Sequence, residues 1–271
     1  MLKFSPANSK TRRLYQVPAL QPWLSANNVF RECYSLDLPA GHTCPGAHLC
    51  KSRAVEGEDG RWTIEDGPQC RFRCFSASQE AIFPSVRKVR WHNLLLIKQA
   101  RTASKIRDLI LASIPDDCGI VRYHVGGDFF SREYMRAAFA VALARPDVLF
   151  YGYTKSLHFL DAIVFNDIKS GVVLPNLLLT ASVGGKHDSL IAKLGIRSAV
   201  VVYSEDAAKE RGLEIDHTDE KAATPGPSFS LLLHGTQKKG SVEAQIAYQL
   251  SRQGKGTYSR KSKYVAEIPV S

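Results

Sequence analysis

Four of the six cysteines, Cys44, Cys50, Cys70 and Cys74, fall between residues 44 and 74, spaced Cys-x5-Cys and then Cys-x3-Cys. In a reducing compartment, clustered thiols are better read as metal ligands than as disulfides. Four such donors suffice for a tetrahedral zinc site, although the spacing matches neither a zinc finger nor a ribbon. The other reading is an iron–sulfur cluster: three cysteines holding a 4Fe-4S cluster leave one iron open for a substrate or cofactor. Cys44, Cys50 and Cys74 are then the ligands, with Cys70 a fourth candidate, and buried apolar thiols are the inert alternative. Cys33 and Cys118 sit in strand or turn contexts and read as structural.

A second constellation is Val125-Gly126-Gly127-Asp128. Paired glycines at the carboxyl end of a strand allow a tight turn and close backbone approach by a ligand, and in parallel α/β folds that end is where ligands bind. Asp128 there is placed to bind an amine, act as a base or attack as a nucleophile; capping of the following helix is the structural alternative. Tyr153-Thr154-Lys155, Ser182-Val183-Gly184-Gly185-Lys186 and Ser204-Glu205-Asp206 close three further strands, and polar groups on successive strand ends converge on one pocket. Asp128, Tyr153 and Lys155 are therefore the catalytic candidates, Lys155 as a phosphate or carboxylate binder or else a solvated helix-start lysine. Gly126, Gly127, Asp128 and Ser182 are the cofactor-binding candidates. Asp216-His217-x-Asp219 is compatible with a metal but reads as a loop, and His124 is as readily a core histidine as a catalytic one.

The elements that must position these residues alternate. Strands are expected near 33–38, 119–125, 148–153, 176–182, 197–203 and 228–234, with helices at 132–144, 157–168, 189–194 and 241–253 and a long helical pattern over 86–114. Ser131 is the expected N-cap of the first of the four. Strand–helix alternation of this length implies βαβ units and a parallel sheet, an α/β fold built as a (β/α) barrel or partial barrel. Residues 1–78, broken by Pro6, Pro18, Pro22 and Pro39, read as an irregular segment carrying the cysteine-rich loop. Residues 79–271 read as the barrel-like part of one integrated domain, ending in a basic tail.

The 271 residues carry a net charge of +10, with 36 Lys and Arg against 26 Asp and Glu. Such an excess favours polyanions. Nine basic residues against the single acid Glu80 lie between Arg71 and Arg107, and seven follow Gly235. Arg87, Lys88, Arg90, Lys98, Arg101, Lys238 and Lys239 are the candidate nucleic-acid contacts. The longest apolar stretch, Ala137 to Ala144, is far below the ~20 residues of a membrane span, and Met1 to Pro6 lacks a secretory h-region. A cytoplasmic protein with no membrane partner is expected.

Thr43-Cys44-Pro45-Gly46-Ala47-x-x-Cys50, Phe72-Arg73-Cys74-Phe75-Ser76-Ala77, Gly127-Asp128-Phe129-Phe130-Ser131 and Tyr153-Thr154-Lys155 together resemble the phage "gene product 88" family. The resemblance runs from about Lys3 to Arg260 and takes in Asn8-x-Lys10-Thr11 and Lys239-Gly240-Ser241. A looser resemblance is to radical S-adenosylmethionine enzymes, which place three cluster cysteines before a strand–Gly-Gly-Glu–helix–strand segment. It implies that Gly126, Gly127 and Asp128 bind the amino end of S-adenosylmethionine. The chain departs from that pattern in lacking the compact Cys-x3-Cys-x2-Cys, Ala77 standing where the third cysteine belongs, and in having Asp for Glu. Together the two resemblances imply a phage-encoded iron–sulfur enzyme modifying nucleic acid or a nucleotide. Two other readings stay open: a DNA base-exchanging transglycosylase with Asp128 as nucleophile and a structural zinc, and a metal-stabilised nucleic-acid-binding protein without catalysis.

Overall fold

The computed structural model describes residues 1–26, 29–166 and 174–255. Strand β1 (Ser5–Pro6) is followed by 3-10 turns at Thr11–Gln16 and Pro18–Leu20, a helical turn α1 (Gln21–Leu24), and the paired strands β2 (Ser25–Ala26) and β3 (Val29–Phe30). After β4 (Glu32–Leu36) come the hairpin β5 (Ser52–Glu56) and β6 (Trp62–Asp66), then α2 (Phe75–Ile82), α3 (Pro84–Ala100) and α4 (Ala103–Leu111). The remainder alternates: β7 (Cys118–Tyr123), α5 (Arg132–Ala144), β8 (Leu149–Thr154), α6 (Leu157–Asn166), β9 (Leu177–Ser182), α7 (Leu190–Leu194) and β10 (Ser198–Val202). It ends with α8 (Glu205–Glu210), α9 (Glu220–Ala223), β11 (Phe229–Leu232) and α10 (Val242–Arg252).

Seven strands form one sheet in the order β1-β4-β7-β8-β9-β10-β11, so its strands follow chain order from edge to edge. All neighbours are parallel except β1, which lies antiparallel to β4. The mixed α/β class with a mostly parallel sheet is as expected from the alternation. Of the barrel or partial barrel expected, a closed barrel is not confirmed: among the described residues the sheet is open, with β1 and β11 as its edges. The expected irregularity of residues 1–78 is also only partial, because this segment supplies β1 and β4 to the central sheet.

Side chains alternate across the sheet, as the two-residue period of a strand requires. Along β7, Val121 and Tyr123 enter the larger core with Leu94, Ile106, Met135, Val141 and Phe150, under α3 to α6. Ile120 faces the other way, into a core with Leu14, Leu20, Leu149, Tyr151 and Phe229, where the N-terminal 3-10 turns cover the sheet. Cys33 and Cys118 are buried in these two cores, where the sequence puts structural thiols. The helix expected across 86–114 is broken in two. Arg101 turns into the left-handed region at φ 62°, which ends α3, and Thr102 restarts the chain as α4 by accepting from Lys105 N–H at 3.4 Å. Ser131 caps α5, accepting from Tyr134 N–H at 3.2 Å.

Candidate functional site

The cysteine loop is fastened across the carboxyl ends of two strands, β8 and β9. Leu49 N–H donates to the Gly184 carbonyl at 3.0 Å, and Lys186 N–H donates to the Gly46 carbonyl at 2.8 Å. Ala47 and Gly185 form an antiparallel bridge. Gly46 lies so close to the end of β8 that a Cβ there would meet the Lys155 carbonyl oxygen at 2.0 Å. These contacts bring Cys44, Cys50 and Cys74 to the wall of a single cavity of about 180 Å³, together with Gly127, Asp128, Tyr153, Thr154, Lys155 and Ser182. Residues read from two separate stretches of sequence thus share one site.

The thiols of Cys44 and Cys74 stand in an environment that resists their ionisation in isolation. Burial pushes the Cys44 pKa well up, and the charges of Asp128, Cys74 and Cys50 push it further. Cys74 rises to about 11, chiefly through burial and then through Cys50, while the backbone N–H groups of Ser76 and Ala77 pull it back. Cys74 is the N-cap of α2, where donors of a helix's first turn favour a negative sulfur. Cys44 Sγ accepts from Gly41 N–H at 3.3 Å. Among the described residues no group of three or more His, Cys, Asp or Glu is placed to hold a metal ion as it stands. The donor set itself suits a positively charged group: thiolates that repel one another in a buried site are stabilised together once a metal neutralises them.

Asp128 is the junction of the site. Its Oδ1 accepts from Phe129 N–H and from Thr154 Oγ1, both at 2.7 Å, and its Oδ2 accepts from Lys155 N–H at 2.8 Å. Burial still outweighs these donors and lifts its pKa to about 6. Gly127, at φ 89°, adopts a conformation that L side chains rarely take, and a Cβ there would meet Thr43 Oγ1 at 2.6 Å. The turn is thereby fitted to the cysteine loop.

The same cavity is also lined by Lys10, Arg122 and His124, together with Tyr153. Behind it lies a buried ionic network: Lys10 Nζ is 2.6 Å from Asp219 Oδ1, Arg122 pairs with Asp219 Oδ2, and Tyr151 OH donates to the same oxygen at 3.2 Å. His124 Nε2 is 2.8 Å from Tyr134 OH. Burial, helped by Arg122, lowers the His124 pKa to about 3, so the ring is neutral. Phe72, Phe75, Val201, Leu231 and Leu233 complete an apolar wall.

The family described as Gene product 88 matches residues 2–259 of the chain. The chain belongs to this family. No curated protein and no solved structure matches it. The geometry decides which residues of this Gene product 88 chain stand together.

Several sequence-derived roles are corrected by that geometry. Lys155 is neither a solvated lysine nor an open anion binder: its ammonium donates to Ser182 O at 2.8 Å, Ser182 Oγ at 2.6 Å and Val183 O at 2.8 Å. An ammonium has three donors, so Lys155 and Ser182 tie β8 to β9 instead. Gly126 is packed under Ser76 and Arg90 and is not on the cavity wall, unlike Gly127. Cys70 is not on that wall either; its thiol donates to the Phe72 carbonyl at 3.3 Å.

Of the nucleic-acid candidates, Arg90 is only 2% exposed. It pairs with the buried Glu80 at 2.8 Å and donates to Ser76 O and Gln79 Oε1, both at 3.0 Å. Arg87 lies 3.9 Å over the Trp62 ring, half-buried. Lys88, Lys98, Arg101, Lys238 and Lys239 are exposed; Arg260, Lys261 and Lys263 of the basic tail lie outside the described residues. Among the described residues no helix is long and apolar enough to cross a membrane.

Sequence reasoning missed Lys10, Arg122 and Asp219 as a unit. Arg122 carried a signal, a charge inside the apolar run of β7, and Lys10 stood in the Asn8-x-Lys10-Thr11 motif.

Proposed function

We propose that this member of the Gene product 88 family is an enzyme of radical-S-adenosylmethionine-like build, its open sheet a partial (β/α) barrel, with a 4Fe-4S cluster on Cys44, Cys50 and Cys74. The observation that supports the reading best is the meeting of these three thiols with Gly127 and Asp128 on one cavity wall. A zinc site with four cysteines needs Cys70, which is engaged with Phe72 away from that wall. When bound, a cluster with one open iron supplies an electron and a coordination position for the amino-acid end of S-adenosylmethionine. The protein's own part is positional. The Asp128 carboxylate, fixed by Phe129, Thr154 and Lys155, keeps acceptor capacity on Oδ2 for an amine, and Gly127 admits a ligand against the backbone. Attack by Asp128 as a nucleophile fits less well, because three donors already draw on its electron pairs.

Nucleic acid or a nucleotide is the proposed substrate class, supported by the net charge of +10 and by the exposed Lys88, Lys98, Arg101, Lys238 and Lys239. The test is the iron, acid-labile sulfide and zinc content of anaerobically purified protein with its visible spectrum, followed by an assay for reductive cleavage of S-adenosylmethionine. The expected result is about four iron and four sulfide per chain, lost in Cys44→Ser, Cys50→Ser and Cys74→Ser and kept in Cys70→Ser. Asp128→Asn should keep the iron and lose turnover. One zinc per chain and no iron refutes the proposal.

A further inference from the structure

Part of the cavity lining is built from residues that neither the cluster nor S-adenosylmethionine accounts for. Lys10 and Arg122, each 5% exposed, line the cavity, whereas their carboxylate partner Asp219 and the neighbouring buried Asp216 do not. The lining thus includes the two cations of the network and neither of these two carboxylates. Two further polar atoms on this wall, Tyr153 OH and His124 Nδ1, are buried with no hydrogen-bond partner among the described residues. A buried polar group left unmatched is costly, and such groups in native structures call for a functional account. His124 itself is 5% exposed, and its other nitrogen faces the Tyr134 hydroxyl, which can donate to it and leave the proton on Nδ1.

The lysine is delivered deliberately. Asn8 Oδ1 accepts from Lys10 N–H at 2.9 Å and Thr11 N–H at 3.1 Å, and Thr11 Oγ1 accepts from Asn8 N–H at 2.9 Å. The Asn8-x-Lys10-Thr11 motif is thus a side-chain-closed turn whose product is a lysine carried beneath the sheet and into the cavity.

We infer that this wall is a recognition site for the oxyanion of a small ligand, a carboxylate or a phosphate group borne on an apolar body. Lys10 and Arg122 supply the positive charge, Tyr153 OH and His124 Nδ1–H donate to the anion, and the body lies along Phe72, Phe75 and Leu233. Four donors from three separate segments, the N-terminal turn, the end of β7 and β8, then converge on one charged group, an arrangement that discriminates strongly against a neutral analogue. The inference shares the cavity with the cluster reading but draws on different side chains.

The test uses the full chain and three probes of one shape, phenyl phosphate, benzoate and benzyl alcohol, titrated by calorimetry, with iron measured on the same samples. At least one anion should bind about tenfold or more tightly than the alcohol. Preference for phenyl phosphate assigns the site to phosphate esters, and preference for benzoate assigns it to carboxylates. Tyr153→Phe removes a hydroxyl without stranding a charge; it should weaken anion binding about tenfold and leave the alcohol unaffected. Asn8→Ala should weaken it too, by loosening Lys10. Equal binding of all three probes, binding of none, or an anion affinity indifferent to Tyr153→Phe overturns the inference. Anion binding kept in protein that holds no iron overturns the cluster reading alone, and iron kept without anion selectivity overturns this one alone.

Discussion

Asp219 is the one anion between two buried cations, and replacing it with Asn isolates the charge. Asp219 sits in the left-handed region at φ 64°, which Asn tolerates well, so the backbone has no reason to move. The carboxylate is fully buried, with side-chain exposures of 5% for Lys10 and 6% for Arg122 against 0% for Asp219. Removing one partner from a buried pair costs about 3–5 kcal/mol, because the remaining charge keeps its desolvation penalty. Set against a total of about 5–15 kcal/mol for a typical protein, Asp219→Asn should lower the urea midpoint markedly and the melting temperature by roughly 6–20 °C. The double variant Lys10→Met with Asp219→Asn should recover part of the loss. Asp206→Asn, an 85% exposed partner of Lys209, should leave the midpoint where it is. pH provides a second axis. Burial alone would raise the Asp219 pKa, but Arg122 and Lys10 outweigh it and hold the carboxyl below its usual value. A carboxylate depressed in the folded state contributes stability above its unfolded pKa, ~4, and that contribution disappears as the pH falls through the folded value. Wild type should therefore lose stability below about pH 4 more steeply than Asp219→Asn. A variant within about 1 kcal/mol of wild type at pH 7 would refute the reasoning, since it would mean that water already reaches the network.

Arg90→Met should destabilise the fold by several kcal/mol, on the order of 3, by stranding the buried Glu80 carboxylate. Lys98→Ala and Arg101→Ala, both at exposed positions, should leave the urea midpoint unchanged and lower the salt dependence of DNA binding by about one unit of slope for each phosphate no longer neutralised. Gly46→Ala would drive a Cβ to 2.0 Å from the Lys155 carbonyl; iron and sulfide analysis should show loading lost while far-ultraviolet circular dichroism shows the sheet and helices retained.

How far the sequence could be read depended on whether a residue's role is set by near neighbours or by distant ones. The β7–α5–β8 segment was legible because apolar runs, the glycines of Gly126-Gly127 and the Ser131 cap act locally. The cysteines were legible as a set because metal chemistry leaves a mark in composition. Lys155 was misread because a lysine at a strand end looks the same whether it meets solvent or the carbonyls of Ser182 and Val183 on the neighbouring strand. Arg90 was misread for a related reason: within a run of cations on an amphipathic helix it resembles its exposed neighbours. The lone acid of that run, Glu80, was the available signal, since a single carboxylate among nine cations is a natural candidate for pairing. The Lys10–Asp219 pair joins opposite ends of the chain, and no local pattern announces it. Whether the sheet closes into a barrel was left open by the sequence, because alternation fixes parallel neighbours but not whether the first and last strands meet.

The placement of these interactions argues for a site held rigidly before any ligand arrives. Asp128 joins the turn after β7 to the end of β8, Lys155 joins β8 to Ser182 of β9, and the backbone of Gly46, Ala47 and Leu49 fastens the cysteine loop over the ends of β8 and β9. Asp128, Lys155 and Ser182, which sequence reasoning offered as site residues at these strand ends, are each engaged in holding two segments together. The polar atoms left over, Tyr153 OH and His124 Nδ1, belong to residues that line the same cavity as Lys10 and Arg122. The cavity lining thus combines a fastened set of residues beside the thiols with a set whose donors at Tyr153 OH and His124 Nδ1 have no hydrogen-bond partner among the described residues. Ligand preference should accordingly follow changes at Lys10, Arg122, His124 and Tyr153, whereas changes at Lys155 or Ser182 should disturb the thiols and the ligand together.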